Sequence, residues 1–122
     1  MITHVVMMKF KASVTDGEIA ELEEMLDQLP EKITEIQTYD FGRDIVRSPR
    51  SYDFSLVSVF ASLETLDYYQ KHPAHLRVVK KLGGMCEHIA VVDYENKPYP
   101  HISSAEGISE DPWQSKDLFK PI

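Results

Sequence analysis

Two stretches of this chain alternate at the two-residue period of a β-strand yet leave no polar side. In residues 2–10, Ile2, His4, Val6, Met8 and Phe10 share one face, and Thr3, Val5, Met7 and Lys9 share the other. In residues 52–61, Phe54, Leu56, Ser58 and Phe60 share one face, and Val57, Val59 and Ala61 the other. Helices packed on a single sheet cover one of these faces. An apolar sheet face left in water is unusual for a soluble chain. The pattern therefore predicts a homodimer in which a two-fold partner's sheet packs face to face, burying on the order of 2,000 Å² or more. The competing expectation is that the C-terminal part of the same chain covers that face.

The segments between the strands fix the topology. Thr15-Asp16-Gly17-Glu18 has the form of a capping box. It opens a helix with Ile19, Leu22, Met25, Leu26 and Leu29 on one stripe, which Pro30 is expected to end or bend. Residues 34–43 read as a second strand with Ile36, Tyr39 and Phe41, closing at Gly42. After a polar loop and the third strand, Ser62 is placed to cap a helix over 63–71. Pro73 interrupts that helix, and a second piece is expected to run to about Leu82 and stop at Gly83-Gly84. Residues 86–94 read as the fourth strand. The order is β-α-β-β-α-β, an α+β, ferredoxin-like arrangement with one four-stranded antiparallel sheet. Residues 1–95 form the domain. Residues 96–122, with four of the seven prolines and with Tyr99, Trp113 and Phe119, read as an irregular C-terminal arm that docks on the body or on a partner.

Charge and cysteine content narrow the partners. The net charge is −7, from 20 acidic and 13 basic residues, which argues against nucleic acid and against an anionic membrane surface. No apolar run approaches the roughly 20 residues of a membrane-spanning helix. Cys86 is the single cysteine, so no intramolecular disulfide can form, and a reducing, cytoplasmic location is the simplest expectation. The stretch Val5 to Met8 is too short for a signal peptide core.

Chemistry concentrates in Tyr68-Tyr69-Gln70-Lys71-His72-Pro73-Ala74-His75. A proline pushes the residue before it out of helical geometry and suits the first position of a new helix. His72 should therefore leave one helix and His75 should sit in the first turn of the next. A helix N-terminus disfavours imidazolium, so a neutral His75 could act as a general base near neutral pH. Tyr69, one turn earlier, could donate a hydrogen bond to a developing oxyanion. The plainer reading is that His72 caps the second helix and His75 is a packing residue. The spacing of His72 and His75 also suits metal ligands, but no metal is expected. His4 and Ser58 are polar interruptions of apolar strand faces, so each either lines a pocket or is satisfied locally. Phosphate-binding glycine loops, dinucleotide fingerprints, nucleophile elbows and zinc-type Cys/His sets are absent from the sequence.

Four segments, in order, resemble the stress-responsive A/B barrel family. They are His4-Val5-Val6-Met7-Met8-Lys9-Phe10-Lys11; Leu29 to Ile36 leading into Phe41-Gly42-Arg43-Asp44; Tyr52-Asp53-Phe54 with Phe60-Ala61-Ser62; and His72-Pro73-Ala74-His75. The resemblance covers about residues 2–95. It implies a homodimer in which two four-stranded sheets form a barrel. It also implies, by likeness to a plant polyketide cyclase of the family, a cofactor-free ring closure with His75 as base, Tyr69 as its assistant and His4 in the pocket. Val6, Met8, Leu56, Ser58 and His72 are the further candidate binding residues for a small carbonyl-type ligand. The chain departs from that cyclase in its first helix, which offers Ile19, Leu22, Met25 and Leu26 in place of aromatics, and in the bulky Leu76-Arg77-Val78-Val79. Three functions remain open: a cofactor-free acid–base enzyme, a small-ligand binding protein, and a structural dimer working through its surface or arm.

Overall fold

The computed structural model describes residues 1–97. The arm expected over 96–122 falls almost wholly outside the described residues. The elements are β1 (Ile2–Phe10), α1 (Asp16–Lys32), β2 (Thr38–Arg43), β3 (Phe54–Phe60), α2 (Leu63–Lys71), α3 (Pro73–Met85) and β4 (Cys86–Glu95). The sheet has the order β2-β3-β1-β4 with every neighbouring pair antiparallel. The fold is ferredoxin-like α+β, its second helix broken in two at Pro73.

Local chemistry explains the starts of the helices. The Thr15 hydroxyl accepts from the Glu18 N–H, and the Glu18 carboxylate accepts from the Thr15 N–H, so the capping box closes. Ser62 and Thr65 do the same for α2. Pro73 takes the first turn of α3, where its missing N–H leaves no bond unmade.

Two helix ends differ from the expectation. Pro30 does not end α1, which continues to Lys32. The buried Leu29 and Ile33 hold the last turn against the core, and the Ile33 N–H still reaches the Leu29 carbonyl at 2.8 Å. Gly83 and Gly84 do not end α3. Leu82 and Met85 are buried on either side of them, neither glycine has a positive φ, and the Met85 carbonyl accepts from the Lys11 N–H at 2.8 Å. Strand β2 is shorter than expected, beginning at Thr38.

The helices cover one side of the sheet. Leu22, Leu26, Leu29 and Ile33 of α1, with Leu66, Val78, Leu82 and Met85 of α2 and α3, meet Val6, Met8, Phe10, Phe54, Leu56 and Phe60. Burial of this kind is the main stabilising contribution, about 25 cal/mol per Å² of apolar surface. The other side is open. One row across it reads Asp40, Val57, Val5 and Val92 in register. Val57, Met7 and Val92 are 36%, 39% and 58% exposed there, so the second apolar face seen in the sequence is left uncovered by the described residues. No helix among these residues is long and apolar enough to cross a membrane.

Candidate acid–base site

A polar row crosses the helix-covered side of the sheet. Tyr39 on β2 pairs with Ser58 on β3, Ser58 pairs with His4 on β1, and His4 pairs with Asp93 on β4. The adjacent row on one side is Phe41, Leu56, Val6 and Val91; on the other, Phe60 stands opposite Ile2. Polar groups thus form a band between apolar ones. The band arises because strands alternate at period two and all four strands place a polar residue at the same level.

Tyr69 and His75 lie against this band from the helices. The Tyr69 ring is fully buried and its centroid stands 4.3 Å from the His75 ring, 6.3 Å from His4 and 6.2 Å from Tyr39. The break at Pro73 is what brings Tyr69 and His75 together. His72 ends α2 through its N–H to the Tyr69 carbonyl, and its Nδ1 accepts from the Ala74 N–H at 3.0 Å to begin α3. His75 follows as the third residue of α3. The expected capping role of His72 is therefore present.

Each functional group has a defined hydrogen-bond state. The Tyr39 and Tyr69 hydroxyls bond each other at 2.7 Å. Burial pushes the Tyr69 phenol up to about 12, while the bond from Tyr39 acts the other way. Burial, with repulsion from Tyr69 and the bond to it, holds Tyr39 well above the usual phenol range. Both therefore remain neutral at ordinary pH, and one hydroxyl donates to the other. His75 Nδ1 lies 3.1 Å from the Gln70 carbonyl. A carbonyl only accepts, so the neutral ring carries its proton on Nδ1 and its lone pair on Nε2. Burial lowers the His75 pKa, the Gln70 carbonyl opposes that, and His4 and His72 lower it further. His4, buried among the core residues, bonds the Asp93 carboxylate through Nδ1. Ser58 is 0% exposed, and its hydroxyl has no hydrogen-bond partner among the described residues.

His72 apart, which caps α3, the residues anticipated from sequence divide into two groups. His4, Ser58, Tyr69 and His75 come together. Val6, Met8 and Leu56 belong to the packed core beside them. Tyr39 and Asp93 are partners in the cluster that the sequence reading did not single out. A simple signal was present: both occupy the inward-facing series of their strands, the feature that drew attention to His4 and Ser58.

Among the described residues, hollows of about 640, 360 and 200 Å³ open on the surface. The largest is lined by Lys9, Lys11, Arg43, Arg47 and four carboxylates at the end of the sheet remote from His4. The second is bordered by Tyr68, His72 and Pro73. None of the three is lined by His4, Tyr69 or His75. Among the described residues, no three His, Cys, Asp or Glu side chains converge in a way that could hold a metal ion.

Residues 2–96 match the family described as Stress responsive A/B Barrel Domain. The stress-response A/B barrel domain-containing protein HS1 of Arabidopsis thaliana is 28% identical over 96 residues, which are 77% of this chain and 88% of that protein. A dimeric ferredoxin-like protein of unknown function from Thermobifida fusca YX is 25% identical, spans 78% of this chain and 90% of its own, and superposes with a TM-score of 0.73. The hydroxynitrile lyase of Passiflora edulis, 21% identical over 81% of this chain and 96% of its own, superposes with a TM-score of 0.71. At that identity the likeness is one of fold.

Proposed function

The chain belongs to the stress responsive A/B barrel domain family, and we propose that it works as a homodimer that binds and acts on a small carbonyl compound by cofactor-free acid–base chemistry. The observation that carries this reading is the contact of Tyr69 and His75, ring centroids 4.3 Å apart, over a polar row in an otherwise apolar layer. His75 Nε2 takes a proton from the carbon next to the carbonyl. The Tyr69 O–H donates to the carbonyl oxygen as negative charge develops there, and Tyr39, donating into Tyr69, strengthens it as a donor. His4, held by Asp93, stands beside Tyr69 as a second polar group, ring centroids 6.3 Å apart. The protonated His75 then returns its proton to product. The open face bearing Val57, Val5, Met7 and Val92 supports the homodimer, as does the dimeric description of the Thermobifida fusca relative.

Proton abstraction has a readout that does not depend on the final product. A panel of ketones and aldehydes in deuterium oxide is followed by proton NMR for loss of the hydrogens next to the carbonyl. The wild-type protein should accelerate that exchange for at least one compound. His75→Ala should slow it by about 10²–10⁴-fold, the usual contribution of a positioned general base. Exchange at the wild-type rate in His75→Ala would remove the role given to His75. The close packing around the fully buried Tyr69 favours a second reading, a structural dimer without catalysis. That reading expects no accelerated exchange for any compound, while Tyr69→Phe still lowers stability.

A further inference from the structure

Within the polar row, every side chain but one has a partner. Tyr39 is bonded to Tyr69 and His4 to Asp93, but the Ser58 hydroxyl between them is bonded to nothing among the described residues. Ser58 is also fully buried. A buried hydroxyl without a partner is costly, and native interiors rarely keep one without a reason. Packing gives no such reason: the inward neighbours of Ser58 along β3 are Phe54, Leu56 and Phe60, and alanine or valine would serve an apolar layer better. The strands beside it carry Tyr39 and His4, each about 4.7–4.9 Å away across the sheet.

We propose that Ser58 is a specificity-determining residue whose hydroxyl binds a second oxygen of the ligand. The proposal rests on the acid–base reading given above, in which the first oxygen, the reacting carbonyl, meets Tyr69. The site then takes carbonyl compounds that carry a hydroxyl or another carbonyl close to the reacting one. A serine hydroxyl both donates and accepts, so it serves either group. The second oxygen is a neutral one. The row holds the Asp93 carboxylate and no lysine or arginine, and a ligand carboxylate buried beside it would lack a counter-charge. Asp93 is the exposed member of the cluster and Tyr39 and His75 are half-buried, and none of the three hollows is lined by Ser58, so a ligand reaches Ser58 only by displacing side chains around it.

The test uses two probes that differ by one oxygen, acetophenone and 2-hydroxyacetophenone with its hydroxyl on the carbon next to the carbonyl. Both are titrated into the full chain by NMR, in wild type, Ser58→Ala and Ser58→Cys. Wild type should bind the hydroxylated ketone about tenfold more tightly, the effect of one well-made hydrogen bond. Ser58→Ala should erase that preference and melt at or above the wild-type temperature because it deletes an unpaired group. Ser58→Cys is slightly larger and a weaker donor, and should retain little of the preference. Equal affinity of wild type for the two ketones overturns the proposal. So does a Ser58→Ala protein that melts well below wild type, since the hydroxyl would then be satisfied inside the fold, as by an ordered water. If acetophenone binds and Tyr69→Phe weakens it while no hydroxyl preference exists, the acid–base reading stands and the role of Ser58 falls. If neither ketone binds, both fall.

Discussion

Replacing the two hydrogen-bonded tyrosines one at a time should give unequal losses of stability. Tyr69 is fully buried, whereas Tyr39 is half-buried, and their hydroxyls are 2.7 Å apart. In Tyr69→Phe the Tyr39 hydroxyl is left without its partner but can turn to water. The cost is then that of one ordinary hydrogen bond, about 0.5–1.5 kcal/mol. In Tyr39→Phe the orphan is the Tyr69 hydroxyl, which has no water to turn to, and the cost rises to about 1–3 kcal/mol. The double variant removes both hydroxyls, leaves no orphan, and should be more stable than Tyr39→Phe alone. The comparison is made by urea unfolding followed by circular dichroism at one fixed protein concentration, because a dimer's stability depends on concentration. For a domain of this size about 1 kcal/mol corresponds to roughly 4–8 °C in melting temperature, so the difference is measurable by heating too. A larger loss in Tyr69→Phe than in Tyr39→Phe would refute the reasoning, as would costs that add in the double variant.

Acid should weaken the protein partly through His75. Its folded pKa lies below the ordinary 6.5, so below that pH the unfolded chain binds the extra proton first. Stability contributed by the neutral ring is therefore full above about pH 6.5, falls as pH drops toward the folded value, and changes no further below it; His75→Gln should flatten the slope of unfolding free energy in that window. Val57→Asp places a charge in the middle of the open face and should give monomers or unfolded chain by light scattering at micromolar concentration, whereas an unchanged dimer mass would show that this face is not the interface. Leu26→Ala, at a fully buried position, should cost about 2–5 kcal/mol, and Leu76→Ala, at an exposed one, should stay within about 0.5 kcal/mol in the same urea assay.

The parts of the structure governed by local chemistry were readable from the chain. Strand β1 is Ile2–Phe10 as its alternation indicates, and the caps at Thr15 and Ser62 and the restart at Pro73 are where their sequences place them. The errors arose where tertiary packing outweighs local preference. Pro30, Gly83 and Gly84 are helix breakers by propensity, but Ile33 and Met85 are buried beyond them and hold the turns in place. The partners of His4 and Tyr69 were hidden for another reason. Alternation shows which way a side chain points, but not which residue on a distant strand stands opposite. Asp93 meets His4 only through the register of β1 and β4, and Tyr39 meets Tyr69 only across two layers.

The polar row also has a temporal side. Its members sit on four different strands, and Asp93, on the last of them, lies 89 positions from His4. Contacts between positions so far apart along the chain form slowly, since a long loop must close before they are rewarded. During synthesis β1, α1 and most of α2 can be in place while His4 still has no acid beside it. The docking of one edge strand completes the cluster. The same strand can also open first, because it lies at an edge of the sheet among the described residues, and edge elements come loose well below the free energy of global unfolding. Chemistry that depends on His4 and Asp93 would thus switch off through a local loosening of β4 that leaves most of the folded core intact. Amide exchange along that strand would report the loosening.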